Sequence, residues 1–142
     1  LAPAQYLELI KTAMTRDLLV REQSVLRMTS RRPEIAAQYL EAFSKFSSHH
    51  PVSLKNLFRQ LLLASKVSIN KPFQVPVTVI SSMGDQFVHP DCSVAIAKGF
   101  VLPHFTLQTA GHDLPLDDPE GLVRILVRID SNKSDEAKPR RL

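Results

Sequence analysis

The sequence predicts an α/β chain in which a series of helices precedes a parallel βαβα unit whose sheet is incomplete. Three observations lead there. Apolar residues recur at three- and four-residue steps through the first half, and no strand pattern appears before residue 74. An apolar, largely β-branched run then occupies Val75 to Ile80, too unbroken for a half-exposed strand and suited to one covered on both faces. Beyond it the order reads strand, loop, helix, strand, loop, helix. Right-handed crossovers make such strands parallel and gather the loops at their C-terminal ends on one edge, where ligands are handled. Only two strands are in evidence, a poor sheet for so apolar a run.

Each element has local grounds. Tyr6, Leu7, Ile10 and Met14 form one apolar stripe, and Leu18, Leu19, Val25 and Leu26 a second that Glu22 interrupts. Pro33 suits a first helical turn and opens a third stripe with Ile35, Tyr39, Leu40 and Phe43. Ser53 is the N-cap of a fourth, with Leu54, Leu57, Phe58, Leu61 and Leu62 on one face. The stretch Asn70 to Pro76, with two prolines, separates the helices from the strand. A polar loop from Ser81 to His89 leads to a helix from about Pro90, expected to end at Gly99. His104 to Gln108 reads as the second strand. After a loop containing Gly111, Asp118-Pro119-Glu120 supplies a cap, a first-turn proline and a first-turn acid for a helix carrying Leu122, Ile125, Leu126 and Ile129.

Composition narrows the classes. With 44% hydrophobic and 23% charged residues in 142, the chain has the make-up of a globular protein. No apolar run approaches the roughly 20 residues of a membrane span, and no basic-then-apolar stretch opens the sequence, so a soluble, cytoplasmic protein is expected. Cys92 is the single cysteine and has no internal disulfide partner. The net charge of +4 owes about half its excess to a polar tail over residues 131–142, expected to be disordered. The remaining basic pairs, Arg31-Arg32 and Arg16 with Arg21, are interrupted by acids and lack interleaved aromatics, so no nucleic-acid partner is expected. Four glycines, none spaced as GxGxxG or GxxxxGK[ST], give no phosphate cradle, and no cofactor is expected. His89, Asp91, Cys92, His112 and Asp113, or the His49-His50 pair, supply ligand types but not zinc-site spacing, so no metal is expected.

Two residues carry the chemistry. Asp85 follows the first strand and His112 the second, so the topology brings their loops side by side. A carboxylate and an imidazole so placed form the orienting and proton-transferring parts of a nucleophilic triad. Taken singly, each also suits a plain role, Asp85 as a turn residue and His112 as a loop histidine.

Pro76 to Pro90 resembles the strand and acid loop of α/β-hydrolases, in which a strand is followed by a small residue, an Asp and a hydrophobe-x-Pro. Ala110-Gly111-His112-Asp113 through Asp118-Pro119 is similar to that family's histidine loop. The spacing of the two, with one helix and one strand between, also matches. The resemblance implies that Asp85 is the acid and His112 the base of a Ser-Asp-His triad acting on an ester or related acyl substrate. It further implies that residues 1–50 are a cap-like helical region and 51–130 the C-terminal part of the hydrolase core.

The departure from the pattern is the nucleophile. A nucleophile elbow needs small residues, usually GxSxG, and no two glycines stand four apart. No sequence feature sets a base beside Cys92, and Ser81 and Ser82 belong to the acid loop, where strand-end serines usually satisfy backbone groups. The chain opens on Leu1, and the expectation is a fragment that begins inside or just before the cap and is inactive alone; the alternative is a non-catalytic remnant or interaction module. Either way, an incomplete sheet predicts low stability and self-association. Sedimentation as a monomer with one cooperative urea transition would sink that expectation.

Overall fold

The computed structural model describes residues 3–66 and 68–136. Four helices come first: α1 (Pro3–Met14), α2 (Leu18–Thr29), α3 (Pro33–His49) and α4 (Leu54–Lys66). Then follow β1 (Val79–Ser82), α5 (Pro90–Phe100), β2 (His104–Leu107), the single-turn α6 (Leu114–Asp117) and α7 (Pro119–Glu136). The described residues are thus mostly helical with one small parallel sheet, an arrangement compatible with the α/β class.

The helix starts follow from capping. Asp17 accepts from the Leu19 and Val20 N–H groups at 2.9 and 3.1 Å, satisfying donors that α2 leaves free. Ser53 Oγ accepts from Asn56 N–H at 3.2 Å, and Asp118 from Gly121 N–H at 2.8 Å, as their positions ahead of apolar stripes predict. Pro33 and Pro90 stand in the first turns of α3 and α5. Glu22, which interrupts the α2 stripe, accepts from Ser47 Oγ at 2.7 Å and so joins α2 to α3. The helix predicted from Asp118 continues to Glu136, into the stretch read as a disordered tail; residues 137–142 lie outside the described residues.

The first strand lies further along the chain than the sequence suggests. The apolar run Val75 to Ile80 predicts it, yet the ladder pairs Val79 with His104, Ile80 with Phe105, Ser81 with Thr106 and Ser82 with Leu107. A strand exists only where backbone groups find partners. Val79 N–H donates to the Pro103 carbonyl at 2.9 Å, and beyond that point the neighbouring chain turns back into the end of α5. Residues 75–78 therefore pair with no strand among the described residues, and Pro76 lacks an N–H altogether. Nor is the run covered on both faces: Val75 is 66% exposed and Val79 and Ile80 are half-buried, while the two serines at the strand end are buried.

The end of α5 also differs from expectation. Gly99 lies inside the helix, and the residue that leaves it in the left-handed region is Val101, with φ 54° and ψ 49°. No other described non-glycine residue has a positive φ. Two hydrogen bonds hold the turn, Val101 N–H to the Lys98 carbonyl at 3.3 Å and Leu102 N–H to the Ala97 carbonyl at 2.8 Å. A β-branched side chain resists this conformation, so tertiary pairing of β2 imposes it.

Little apolar surface is enclosed. The buried apolar residues among those described are Leu26, Ala36, Ala97 and Ala110, three of them alanines. The chain exposes 10758 Å², whereas a compact monomer of 15.9 kDa exposes about 7,400 Å² by size scaling. Much of the excess is apolar: Leu7, Met14, Phe58, Leu62 and Leu63 on α1 and α4 are each more than half exposed.

The α5 terminus supplies a paired test. No atom approaches the place a Gly99 side chain would take. Gly99→Ala is expected to stabilise the chain by about 0.5–1 kcal/mol. Val101→Gly, which relieves the left-handed strain, is expected to add about 1 kcal/mol. Urea midpoints that fall in either variant would contradict this account of the turn.

Candidate functional site

Asp85 and His112 come from the loops that follow β1 and β2, and the parallel pairing of those strands brings both loops to one edge. His112 Nδ1 lies 2.9 Å from Asp85 Oδ2. An ionised carboxylate only accepts, so this contact has Nδ1–H donating and, in the neutral imidazole, leaves Nε2 as the acceptor. The other carboxylate oxygen, Oδ1, accepts from Phe87 N–H at 2.8 Å and Val88 N–H at 2.9 Å, an Asx-type turn that fixes the acid's direction. Thus the turn role and the histidine-orienting role coexist in one side chain. The Phe87 ring sits 5.1 Å from the His112 ring, tilted at 56°. The acid is largely covered, its side chain 14% exposed, while the histidine side chain is 43% exposed.

Two devices hold the loops together. The Ser82 hydroxyl donates to the Ala110 carbonyl, and Gly84 N–H donates to Ser82 Oγ at 3.2 Å. One buried hydroxyl thereby ties the acid loop to the histidine loop. Gly84 is required at this crossing, because a side chain there would strike the Ala110 carbonyl.

The second device is Asp117, 2% exposed and unnoticed as a functional residue in the sequence. Its Oδ2 accepts from Gly111 N–H at 2.6 Å and from Arg31 N–H at 2.7 Å, and its Oδ1 accepts from the Ser30 hydroxyl. The Arg32 guanidinium donates to its backbone carbonyl at 3.2 Å, and Asp113 N–H donates to the Thr29 carbonyl at 3.0 Å. A buried carboxylate is tolerable only when so supplied with donors. The residue before His112 is therefore fastened to the turn between α2 and α3. The sole sequence signal was an acid directly behind the apolar Leu114-Pro115-Leu116.

The remaining candidates are accounted for individually. Ser82 serves the loop clamp just described. Ser81 Oγ lies 2.8 Å from His104 Nε2, with Ser81 buried on the sheet. Cys92 is exposed near the start of α5. His89 caps that helix through Asp91 N–H at 3.3 Å. Among the described residues, no three His, Cys, Asp or Glu side chains gather as a metal site, and no helix is long and apolar enough to cross a membrane. No serine, threonine or cysteine is hydrogen-bonded to His112 among those residues.

No family model, no curated protein and no solved structure matches this chain.

The Asp117 contacts make a prediction about stability. Asp117→Ala would leave one buried and two part-buried donors unmatched and is expected to cost about 2 kcal/mol in urea unfolding. Asp117→Asn, which keeps one acceptor oxygen, should cost less. Equal losses in the two variants would mean that the hydrogen-bond pattern is not what holds the histidine loop.

Proposed function

We propose that this chain supplies the acid and the base of a Ser-Asp-His acyl hydrolase of the α/β-hydrolase type. The observation that carries the reading is the Nδ1 to Oδ2 contact of 2.9 Å, combined with the two backbone N–H groups that aim Asp85. An acid so held fixes the imidazole tautomer and stabilises the imidazolium that forms in catalysis. The exposed His112 then has Nε2 free to take a proton from a serine hydroxyl and to return it to the leaving group. The succession of strand, acid loop, helix, strand and histidine loop supports the same family reading.

The nucleophile has to come from outside residues 1–142, because no GxSxG elbow occurs in them. In this reading α1 to α3 act as the cap over an ester or related acyl substrate, residues 51–130 as the C-terminal part of the core, and the protein works in the cytoplasm. Strands adjoining β1, which among the described residues pairs with β2 alone, would come with the nucleophile. One observation favours a second reading, a non-catalytic hydrolase-like interaction module: the large exposed apolar area on α1 and α4.

Hydrolysis of a short p-nitrophenyl ester separates the two. The assay compares this chain with one extended by its upstream coding sequence, each beside its His112→Ala variant. Activity confined to the extended chain, and reduced at least about 10³-fold by His112→Ala, is the expected result. Silence of the extended chain would favour the interaction module. Activity of the short chain that depends on His112 would overturn the statement that the nucleophile lies elsewhere.

A further inference from the structure

A cavity of about 360 Å³ lies between α2 and α3, at the low end of the range for small-molecule sites. Its walls are apolar where the helices meet: Leu26, Ala36, Ala37 and Leu40. Leu26 and Ala36 are 6% and 5% exposed, so this wall is part of the scarce core. The opposite character enters with Arg27 and Arg31, which also line it.

Both arginines are exposed, and among the described residues neither side chain is held in an ion pair. Arg21, Arg32 and Arg124 each have a glutamate within 4 Å, whereas neither the Arg27 nor the Arg31 side chain has an acidic partner among the described residues. Within α2 the residues three and four before Arg27 are Ser24 and Gln23, and the chain leaves the helix at Ser30, its C-cap, just ahead of Arg31. A helix C-terminus favours a cation such as Arg27, whereas Arg31 lies beyond the helix; together they give the apolar cavity a positively charged rim that suits an anion.

We propose that this cavity binds a small amphipathic carboxylate, its chain against the α2–α3 wall and its head between Arg27 and Arg31. A guanidinium offers a planar fork of donors matched to a carboxylate, and the carboxylate supplies the counter-charge that the two arginines lack. The inference stands apart from the hydrolase reading, since it requires no nucleophile and no turnover. It has a structural consequence as well. Ser30 and Arg31 both line the cavity and both donate to Asp117, which holds Gly111 beside His112. An occupant is therefore one shared residue away from the histidine loop.

The test is calorimetric titration of the whole chain with sodium octanoate below its micellar range, beside 1-octanol and sodium acetate at the same concentrations. Saturable binding of octanoate alone is expected. Arg27→Gln and Arg31→Gln should each weaken it about tenfold, the scale of a charge-assisted hydrogen bond. Ala37→Phe, from an exposed helical position that tolerates the larger side chain, should abolish binding by filling the cavity while leaving the helical circular dichroism unchanged. Absence of octanoate binding, equal affinity for octanol, or binding indifferent to both arginine changes would each overturn the proposal. So would binding to vesicles containing anionic phospholipid with none to octanoate.

Discussion

The structure depends on one buried carboxylate. Asp117 is nearly inaccessible to water, and it collects donors from two places far apart in sequence, the turn between α2 and α3 and the residue preceding His112. Burying a charged group without partners costs several kcal/mol, so the contact is favourable only when all of its donors arrive together. That requirement makes it selective. A helical region with few buried apolar side chains is held to the βα unit in one orientation by directional bonds rather than by packing area.

The Asp85–His112 pair inherits this precision. Asp85 is aimed by its own turn and His112 by Asp85, but the two loops meet because Ser82 reaches the Ala110 carbonyl, Gly84 leaves room for it, and Asp117 restrains Gly111. A hydrogen bond between side chains on two separate loops keeps its geometry only while both loops are held in place, which is why such supporting contacts carry as much weight as the pair itself. Around this rigid edge the rest is loosely enclosed, with alanines making up most of the buried apolar set and apolar faces of α1 and α4 open.

Much of the arrangement was legible in the sequence because its causes are local. Pro33, Ser53, Pro90 and Asp118 mark helix starts by chemistry that acts within one turn, and the alternation of strand and helix implies that the loops of Asp85 and His112 share an edge. What was not legible depends on distant partners. The hydrophobic run suggested a strand from Val75, yet the ladder begins at Val79 because Pro103 is where its neighbour starts. Gly99 offered a ready helix terminator, but the left-handed residue is Val101, placed there by the demands of β2. Asp117 stood in plain view beside Asp118, and nothing within four residues indicates that Ser30 and Arg31 are its partners.

The separation between those partners has a bearing on the order of assembly. The unit from β1 to β2 closes over a short stretch of chain, at modest entropic cost, whereas the bond from Ser30 to Asp117 spans 87 positions. Contacts that close so large a loop contribute only after both ends have independently taken shape. On this ground the βα unit and the α2–α3 hairpin are expected to form ahead of the contact between them, with Asp117 as the latch that joins them. A chain that stalls before the latch engages would carry a fully formed acid loop with its histidine loop still unfastened.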